Sequence, residues 1–383
     1  MALFKTPEYT LIGSKALEEA KPYLKKCGKK ALIVTGKHVV LSDMMAELKK
    51  ALEEIGIAYF VFDGITGEPT NVMIDEGIAA YKENGCDFCI GIGGGSPLDS
   101  AKAIAAMITN EGKIADYNGK VIEKPIPPVV AIPTTAGTGS EATQFTVITD
   151  VEKDIKMLLK GGYLVPKIAI VDPAYTYSAP KSITAATGMD ALTHAIEAYT
   201  SRKALPVTDT LAVSAVKRIM KYLPAAYKDG SDEKARYEMS VASYEAGICI
   251  NNSTVTLVHG MSRPIGALFY VAHGISNAML LTKCLAFALD GAYEKFANLG
   301  REIGAATAED DDKTASEKFI EALNEICKIC EIPTLLEYGI PKDEFFAHME
   351  KMAHDALTSG SPGNTMKPIS EQDIIEIYKK LWE

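Results

Sequence analysis

Asp190 and His194 stand four residues apart in the run TGMDALTHAIEAY, so on a helix both side chains project from one face. That spacing can clip a divalent metal with a carboxylate oxygen and an imidazole nitrogen; it equally suits an Asp–His hydrogen bond inside a helix pair. A second run, HGMSRPIGALFYVAHG, carries His259 and His273, two of only 6 histidines, in otherwise apolar surroundings. One carboxylate and three neutral imidazoles would leave a divalent ion net positive charge, hence Lewis acidity toward a substrate oxygen. Such nitrogen and oxygen donors suit iron and zinc alike. His348 and His354 fall in the charged pattern HMEKMAHDAL and read as surface residues.

Two glycine-rich loops are candidates for holding phosphate. Gly93, Gly94, Gly95 and Ser96 follow an apolar run and open a helical one. Glycines let backbone N–H groups approach a pyrophosphate, and a helix N-terminus adds partial positive charge. The pattern is neither GxGxxG nor a Walker loop, and a tight strand-to-helix turn would need the same glycines. The second loop, PTTAGTGSE (133–141), offers three threonine hydroxyls after the run VVAI. Ser140 lacks the GxSxG setting of a hydrolase nucleophile.

The elements that must position these loops alternate in the first half. Strands are expected at ALIVT (31–35), YFVF (59–62), FCIGI (88–92), VVAI (129–132) and IAIV (168–171). Helices are expected over 42–55, 71–84 and 96–108, capped by Ser42, Asn71 and Ser96. Strands alternating with helices imply βαβ units and a parallel sheet, with ligands at the carboxyl ends of its strands. Residues 146–149 and 155–159 read as an added hairpin around DVEKD. Strand signals stop after about Asp172, and helical periodicity continues over 184–200, 207–222, 232–249, 275–289, 291–305, 314–330, 342–357 and 370–382. The reading is an α/β N-terminal dinucleotide-binding domain with a parallel sheet (1–178), then an all-α helical domain carrying the metal and catalytic site (179–383).

Composition narrows the function classes. A chain of 383 residues accommodates two domains. Its formal net charge of −10 is the wrong sign for wrapping a phosphate backbone, which argues against nucleic acid as a partner. The opening MALFKTPEYTLIGSKALEEA shows no export signal, and 7 cysteines is an odd count, so a reducing cytoplasm is expected. The uncharged stretch 264–282 is interrupted by Pro264, Gly266, His273 and Gly274 and reads as buried core helices, not a membrane span. Cys86/Cys89 and Cys327/Cys330 read as buried thiols and not as a zinc knuckle.

Four segments in this order and spacing resemble the iron-containing (group III) alcohol dehydrogenases: GGGSPLDSAK (93–102), PTTAGTGSEAT (133–143), ATGMDALTHAIEAY (186–199) and HGMSRPIGALFYVAHG (259–274). The resemblance covers nearly the whole chain. It implies the two-domain fold with the active site in the cleft, and a metal, Fe2+ with Zn2+ as the alternative, held by Asp190, His194, His259 and His273. It also matches Gly94, Gly95, Ser96 and Asp99 to the pyrophosphate loop, Thr134, Thr135 and Thr138 to the loop beside the cofactor, and Lys156 to a position approaching the nucleotide. The implied activity is reversible hydride transfer between NAD(P)(H) and a primary alcohol or diol and its aldehyde. Dimers or larger homo-oligomers are implied as well.

Two positions depart from the family pattern. Where NAD-preferring relatives often carry Asp after the first strand, this chain has Gly36, then Lys37 and His38. Without that carboxylate a 2′-phosphate is not repelled, so NADP(H) is favoured over NAD(H). Arg263 replaces a histidine found in many relatives four residues after the third ligand; an arginine stays protonated and makes a poor proton shuttle, so no catalytic base is assigned. Phe145, Phe269 and Tyr270 are candidates for an apolar substrate pocket. The alternative reading is a non-redox enzyme on the same architecture, a dehydroquinate synthase-like lyase. It would need a basic cluster for an anionic substrate, and Arg263 is the lone cation near His259.

Overall fold

The structure, a computed structural model, describes residues 3–153 and 155–383. Met1, Ala2 and Asp154 lie outside the described residues, and with them the first residues of the opening segment and the last residue of the DVEKD turn. The chain divides into two compact units, Met1–Ala179 and Pro180–Glu383.

The first unit runs β1 (Tyr9–Ile12), α1 (Ala16–Leu24), β2 (Lys30–Val34), α2 (Lys37–Val40), α3 (Asp43–Glu54), β3 (Ala58–Phe62), α4 (Asn71–Glu83), β4 (Phe88–Gly93), α5 (Gly95–Thr109), β5 (Val129–Pro133), β6 (Phe145–Asp150), β7 (Ile155–Lys160) and β8 (Ile168–Val171). Six strands form a parallel sheet in the order β1-β8-β5-β4-β2-β3, and β6 and β7 pair as a separate antiparallel hairpin. Strands β4, β5 and β8 are buried along their whole length because helices cover both faces. Alternation sorts the side chains: Ile33 and Ile90 pack with Leu17, Leu48 and Leu52 on one face. Leu32 and Cys89 pack with Ile74, Tyr81 and Ile104 on the other.

From β2 the chain first moves outward to β3 and then crosses to β4 on the opposite side. This reversal places a crevice beyond the carboxyl ends of β2 and β4, the place where open α/β sheets take ligands. Thr35 ties the two ends together by donating Oγ1–H to the Ile92 carbonyl at 2.8 Å.

The second unit is helical: α6 (Lys181–Tyr199), α7 (Pro206–Lys228), α8 (Glu233–Asn252), α9 (Leu257–Phe269), α10 (His273–Ala288), α11 (Tyr293–Glu302), α12 (Asp312–Ile329), α13 (Lys342–Thr358) and α14 (Glu371–Lys380). Helix α6 is its centre, with nearly every residue from Thr184 to Tyr199 buried. Gly188 allows the approach of α7, since a Cβ there would lie 2.4 Å from Leu223 Cδ1. Among the described residues no helix is long and apolar enough to cross a membrane.

Several local expectations need correction. Ser42 does cap α3, accepting from Met45 N–H at 3.4 Å. The cap of α4, however, is Thr70 and not Asn71, because the Thr70 hydroxyl reaches Met73 N–H at 3.3 Å. Helix α5 starts one residue before Ser96, with Gly94 at its cap position. Strand β1 and helices α1 and α2 have no counterpart among the expected elements, whereas the buried core helices expected over 264–282 are α9, which begins at Leu257, and α10. All seven cysteines are free thiols, six buried and Cys327 partly so.

Candidate metal centre and nucleotide loops

Helix α6 carries Asp190 and His194 on one buried face, α9 carries His259, and α10 opens with His273. One donor atom from each of these four residues lies within 4.8 Å of all the others. The imidazole Nε2 atoms of His194, His259 and His273 stand 3.9, 3.6 and 3.6 Å from Asp190 Oδ1. These separations are too long for hydrogen bonds. They approach the edges, about 3.3–3.6 Å, of a tetrahedron whose ligands sit about 2.0–2.2 Å from a common centre. The donor set and its spacing therefore fit a divalent transition metal.

Glycines make this convergence feasible. A Cβ on Gly274 would lie 2.3 Å from the Ala186 carbonyl oxygen, so only glycine lets the start of α10 rest against α6 and bring His273 to Asp190. A Cβ on Gly260 would lie 2.6 Å from Pro362 Cδ, so the glycine after His259 admits the 359–365 loop against α9.

A carboxylate orients one ligand from behind. Glu197, fully buried on α6, accepts from His259 Nδ1–H at 2.5 Å through Oε2. Its Oε1 accepts from Thr256 Oγ1–H at 2.8 Å and Val258 N–H at 2.7 Å. With a proton held on Nδ1 by Glu197, Nε2 is the nitrogen of His259 that faces the cluster and would give its lone pair to a bound metal. Burial alone would raise the Glu197 pKa, but the charge of His259 outweighs it and holds the carboxyl below its usual range. Burial would likewise raise Asp190, yet the three imidazoles, His194 foremost, hold it well below the usual carboxylate range. Burial alone would lower the His259 pKa; Glu197 outweighs that and pushes it up. Asn277, one turn beyond His273, donates Nδ2–H to Asp190 Oδ1 at 2.8 Å.

In the first unit the two glycine-rich loops lie side by side. Thr134 N–H donates to the Gly93 carbonyl at 2.8 Å. A Cβ on Gly95 would stand 2.9 Å from Thr138 Cγ2, and one on Gly94 would stand 3.7 Å from Thr135 Cγ2. Gly93 adopts φ +147°, a conformation that L side chains rarely take. No side chain caps the start of α5, which follows directly on the carboxyl end of β4; the uncapped N-terminus of such a helix favours an anion.

Residues 7–173 match the family described as iron-containing alcohol dehydrogenase, and residues 184–382 match the C-terminal domain of the same family. The chain belongs to the iron-containing alcohol dehydrogenase family. It is 38% identical over 382 residues to the NAD-dependent methanol dehydrogenase of Bacillus methanolicus, covering 99% of each chain. It is 35% identical over 358 residues to the lactaldehyde reductase of Escherichia coli, covering 92% of each. Among solved structures it superposes on a 1,3-propanediol oxidoreductase with TM-score 0.95 and 34% identity, covering 100% of both chains. An alcohol dehydrogenase from Oenococcus oeni gives TM-score 0.95 at 31% identity, again covering 100% of both chains.

The other positions named from the resemblance sit in more particular surroundings. Asp99 gives both carboxylate oxygens to the protein, Oδ1 to Ser140 Oγ–H at 2.5 Å and Oδ2 to Val147 N–H at 2.8 Å. It thus ties α5 to the second loop and to the hairpin. Lys156, on β7, donates to Glu68 Oε1 at 2.8 Å. Gly36 begins α2 at φ −105°, so the backbone does not demand glycine there, but a Cβ would lie 2.8 Å from the Ile65 carbonyl oxygen. Phe269 stacks on Phe345 at 5.7 Å within the second unit's aromatic core, whereas Tyr270 is 84% exposed.

Sequence reasoning missed four residues of these sites. Glu197 shares the i, i+4, i+7 face of Asp190 and His194, and that spacing could have revealed it. Asn277 follows His273 by four. Lys102 is fully buried, and its ammonium donates to Ser140 Oγ, Thr143 O, Thr143 Oγ1 and Phe145 O at 2.8–3.1 Å. Burial lowers its pKa to about 8. Glu141, in the same loop, is buried too, and burial raises its carboxyl to about 7.

Proposed function

We propose that the chain catalyses reversible hydride transfer between a nicotinamide dinucleotide and a primary alcohol or diol and its aldehyde, with ferrous iron held by Asp190, His194, His259 and His273. The observation that carries this reading is the cluster itself, four donors within 4.8 Å of one another in a chain of the iron-containing family. When bound, the divalent ion supplies Lewis acidity to the substrate oxygen and the nicotinamide supplies or takes the hydride.

The chain's own residues position both. Glu197 keeps the proton on His259 Nδ1, and Asn277 holds the Asp190 carboxylate in register. The N-terminus of α5 with Gly94, Gly95 and Ser96 takes the pyrophosphate, and Thr134, Thr135 and Thr138 flank it. Asp99 acts here by holding the second loop in place. Lys156 reaches the nucleotide by exchanging its surface pair with Glu68. Arg263 stays protonated, so the substrate proton leaves by another route.

Residues 1–178 form the nucleotide-binding domain and 179–383 the metal-binding one. The missing carboxylate at Gly36 and the neighbouring Lys37 favour NADP(H) over NAD(H). The close approach of Ile65 gives Gly36 a second reason to be glycine, so a G36D variant is a poor test and direct comparison of cofactors a good one. We assign a homodimer or larger homo-oligomer in the cytoplasm.

The test strips the protein of metal, reloads it anaerobically with Fe2+ or Zn2+, and follows NADPH and NADH oxidation with short aldehydes. Iron-dependent turnover, faster with NADPH, is expected. Faster turnover with NADH would overturn the cofactor preference alone. No turnover of either cofactor, with metal and nucleotide both bound, would overturn the dehydrogenase reading.

A further inference from the structure

Arg263 lies on α9 one turn beyond His259, on the same helix face and roughly 6 Å further along the axis. Its guanidinium has five N–H donors in a planar fork. One donates to Ser361 Oγ at 3.0 Å. Among the described residues no carboxylate pairs with it, and the side chain is partly buried. The acidic groups of the neighbouring cluster are committed elsewhere. Glu197 is taken up by His259, Thr256 and Val258, and Asp190 by Asn277 and the imidazoles. Arg263 still belongs to this electrostatic neighbourhood: burial lowers its pKa, and the charge of Glu197 opposes the lowering. A half-buried guanidinium with four donors not engaged by the protein and no counter-ion is open to an incoming anion.

We propose that Arg263 is a carboxylate subsite: the substrate is an aldehyde, or the matching primary alcohol, that bears a carboxylate at its far end. The planar fork accepts that carboxylate through two parallel N–H···O bonds, while the reacting oxygen sits at the metal cluster. This rests on the dehydrogenase reading and adds the substrate class to it. No base or proton relay is required of Arg263. Ser361 holds the guanidinium by one nitrogen and leaves the rest of the fork for the ligand.

The experiment measures kcat/KM of the iron-loaded full chain for 4-oxobutanoate against butanal and for 5-oxopentanoate against pentanal, at low and high salt. The wild type is expected to prefer the carboxylate member of at least one pair by tenfold or more, with the preference shrinking in salt. Arg263→Met is expected to lower that ratio at least tenfold and Arg263→Lys to lower it less, because an ammonium keeps the charge and loses the fork. Calorimetric titration with 4-hydroxybutanoate and butan-1-ol reads the same subsite without turnover. Tighter binding of the carboxylate by the wild type, reduced in Arg263→Met, is expected. Equal kcat/KM within both pairs, or a loss in Arg263→Met shared equally by charged and neutral substrates, would overturn the subsite and leave the dehydrogenase reading standing. If Arg263→Met fails to fold, the wild-type ratio, its salt dependence and Arg263→Lys decide. Absence of all turnover would overturn the underlying reading, and the titration would still decide the subsite.

Discussion

Glu197→Gln isolates what a buried carboxylate does for a metal ligand. The substitution keeps size and shape and replaces one carboxylate oxygen by an amide NH2. If that NH2 faces His259, donor meets donor where Nδ1 now donates at 2.5 Å. The imidazole must then move its proton to Nε2, the atom 3.6 Å from Asp190 Oδ1, and so lose the lone pair facing the cluster. If the amide turns round, the NH2 faces Val258 N–H and Thr256, which now donate at 2.7 and 2.8 Å. An unpaired buried N–H costs about 1–3 kcal/mol, and the bond to His259 loses the charge assistance that makes it roughly twice as strong as a neutral one. Either arrangement weakens the site by about 1.4–2.7 kcal/mol, a ten- to hundred-fold loss of metal affinity, the usual range for removing such an orienting group. The assay is anaerobic Fe2+ titration against a competing chelator, with circular dichroism of the metal-free protein as the folding control. Affinity within threefold of wild type in a folded Glu197→Gln protein would refute the argument that Glu197 sets the His259 tautomer.

The remaining predictions concern stability and cofactor binding. His259→Ala leaves the fully buried Glu197 without its cationic partner and is expected to destabilise the metal-free protein by about 3–5 kcal/mol in urea. His273→Ala removes a side chain 44% exposed and should weaken metal binding with far less loss of stability; equal losses would contradict this. Gly95→Ala places a methyl 2.9 Å from Thr138 Cγ2, and nucleotide affinity should fall at least about tenfold, by about 1.4 kcal/mol, in a fluorescence titration. Glu141, raised from 4.5 to about 7 by burial, keeps in the folded state a proton that the unfolded chain releases. Its contribution to stability is therefore full below pH 4.5 and lost as pH rises toward 7. Relative to wild type, Glu141→Gln should gain up to about 3 kcal/mol between pH 4.5 and 7.5 in urea unfolding, and a pH-independent difference would refute the shift.

Some elements were legible for a simple reason. Strands buried on both faces must be continuous apolar runs, and β2, β4, β5 and β8 read that way. Four-residue β1, at the sheet edge and only half-buried, carries no such run, and α1 contains Pro22 and lacks a side-chain cap. The apolar stretch from Pro264 reads as core helix, but Pro264 inside α9 conceals that the helix begins seven residues earlier, at Leu257. The choice of Thr70 over Asn71 as the cap of α4 depended on which oxygen reaches the Met73 amide, and either residue type can do that.

At the site, sequence by itself determined the ligand types, the glycine loops at strand ends and the family to which their order belongs. Helical periodicity relates Asp190 to His194 and to Glu197, because they share one turn-to-turn face. It cannot relate them to His259 or His273, which reach the cluster on other helices. Only packing decided that three imidazoles face one Asp190 oxygen, that Glu197 stands behind His259, and that Gly274 lets α10 close against the Ala186 backbone. Likewise, nothing in local sequence tells that the acids around Arg263 are already engaged. A charge count is read from composition, but the pairing of charges is a distance, and distances between helices exist only in the folded chain.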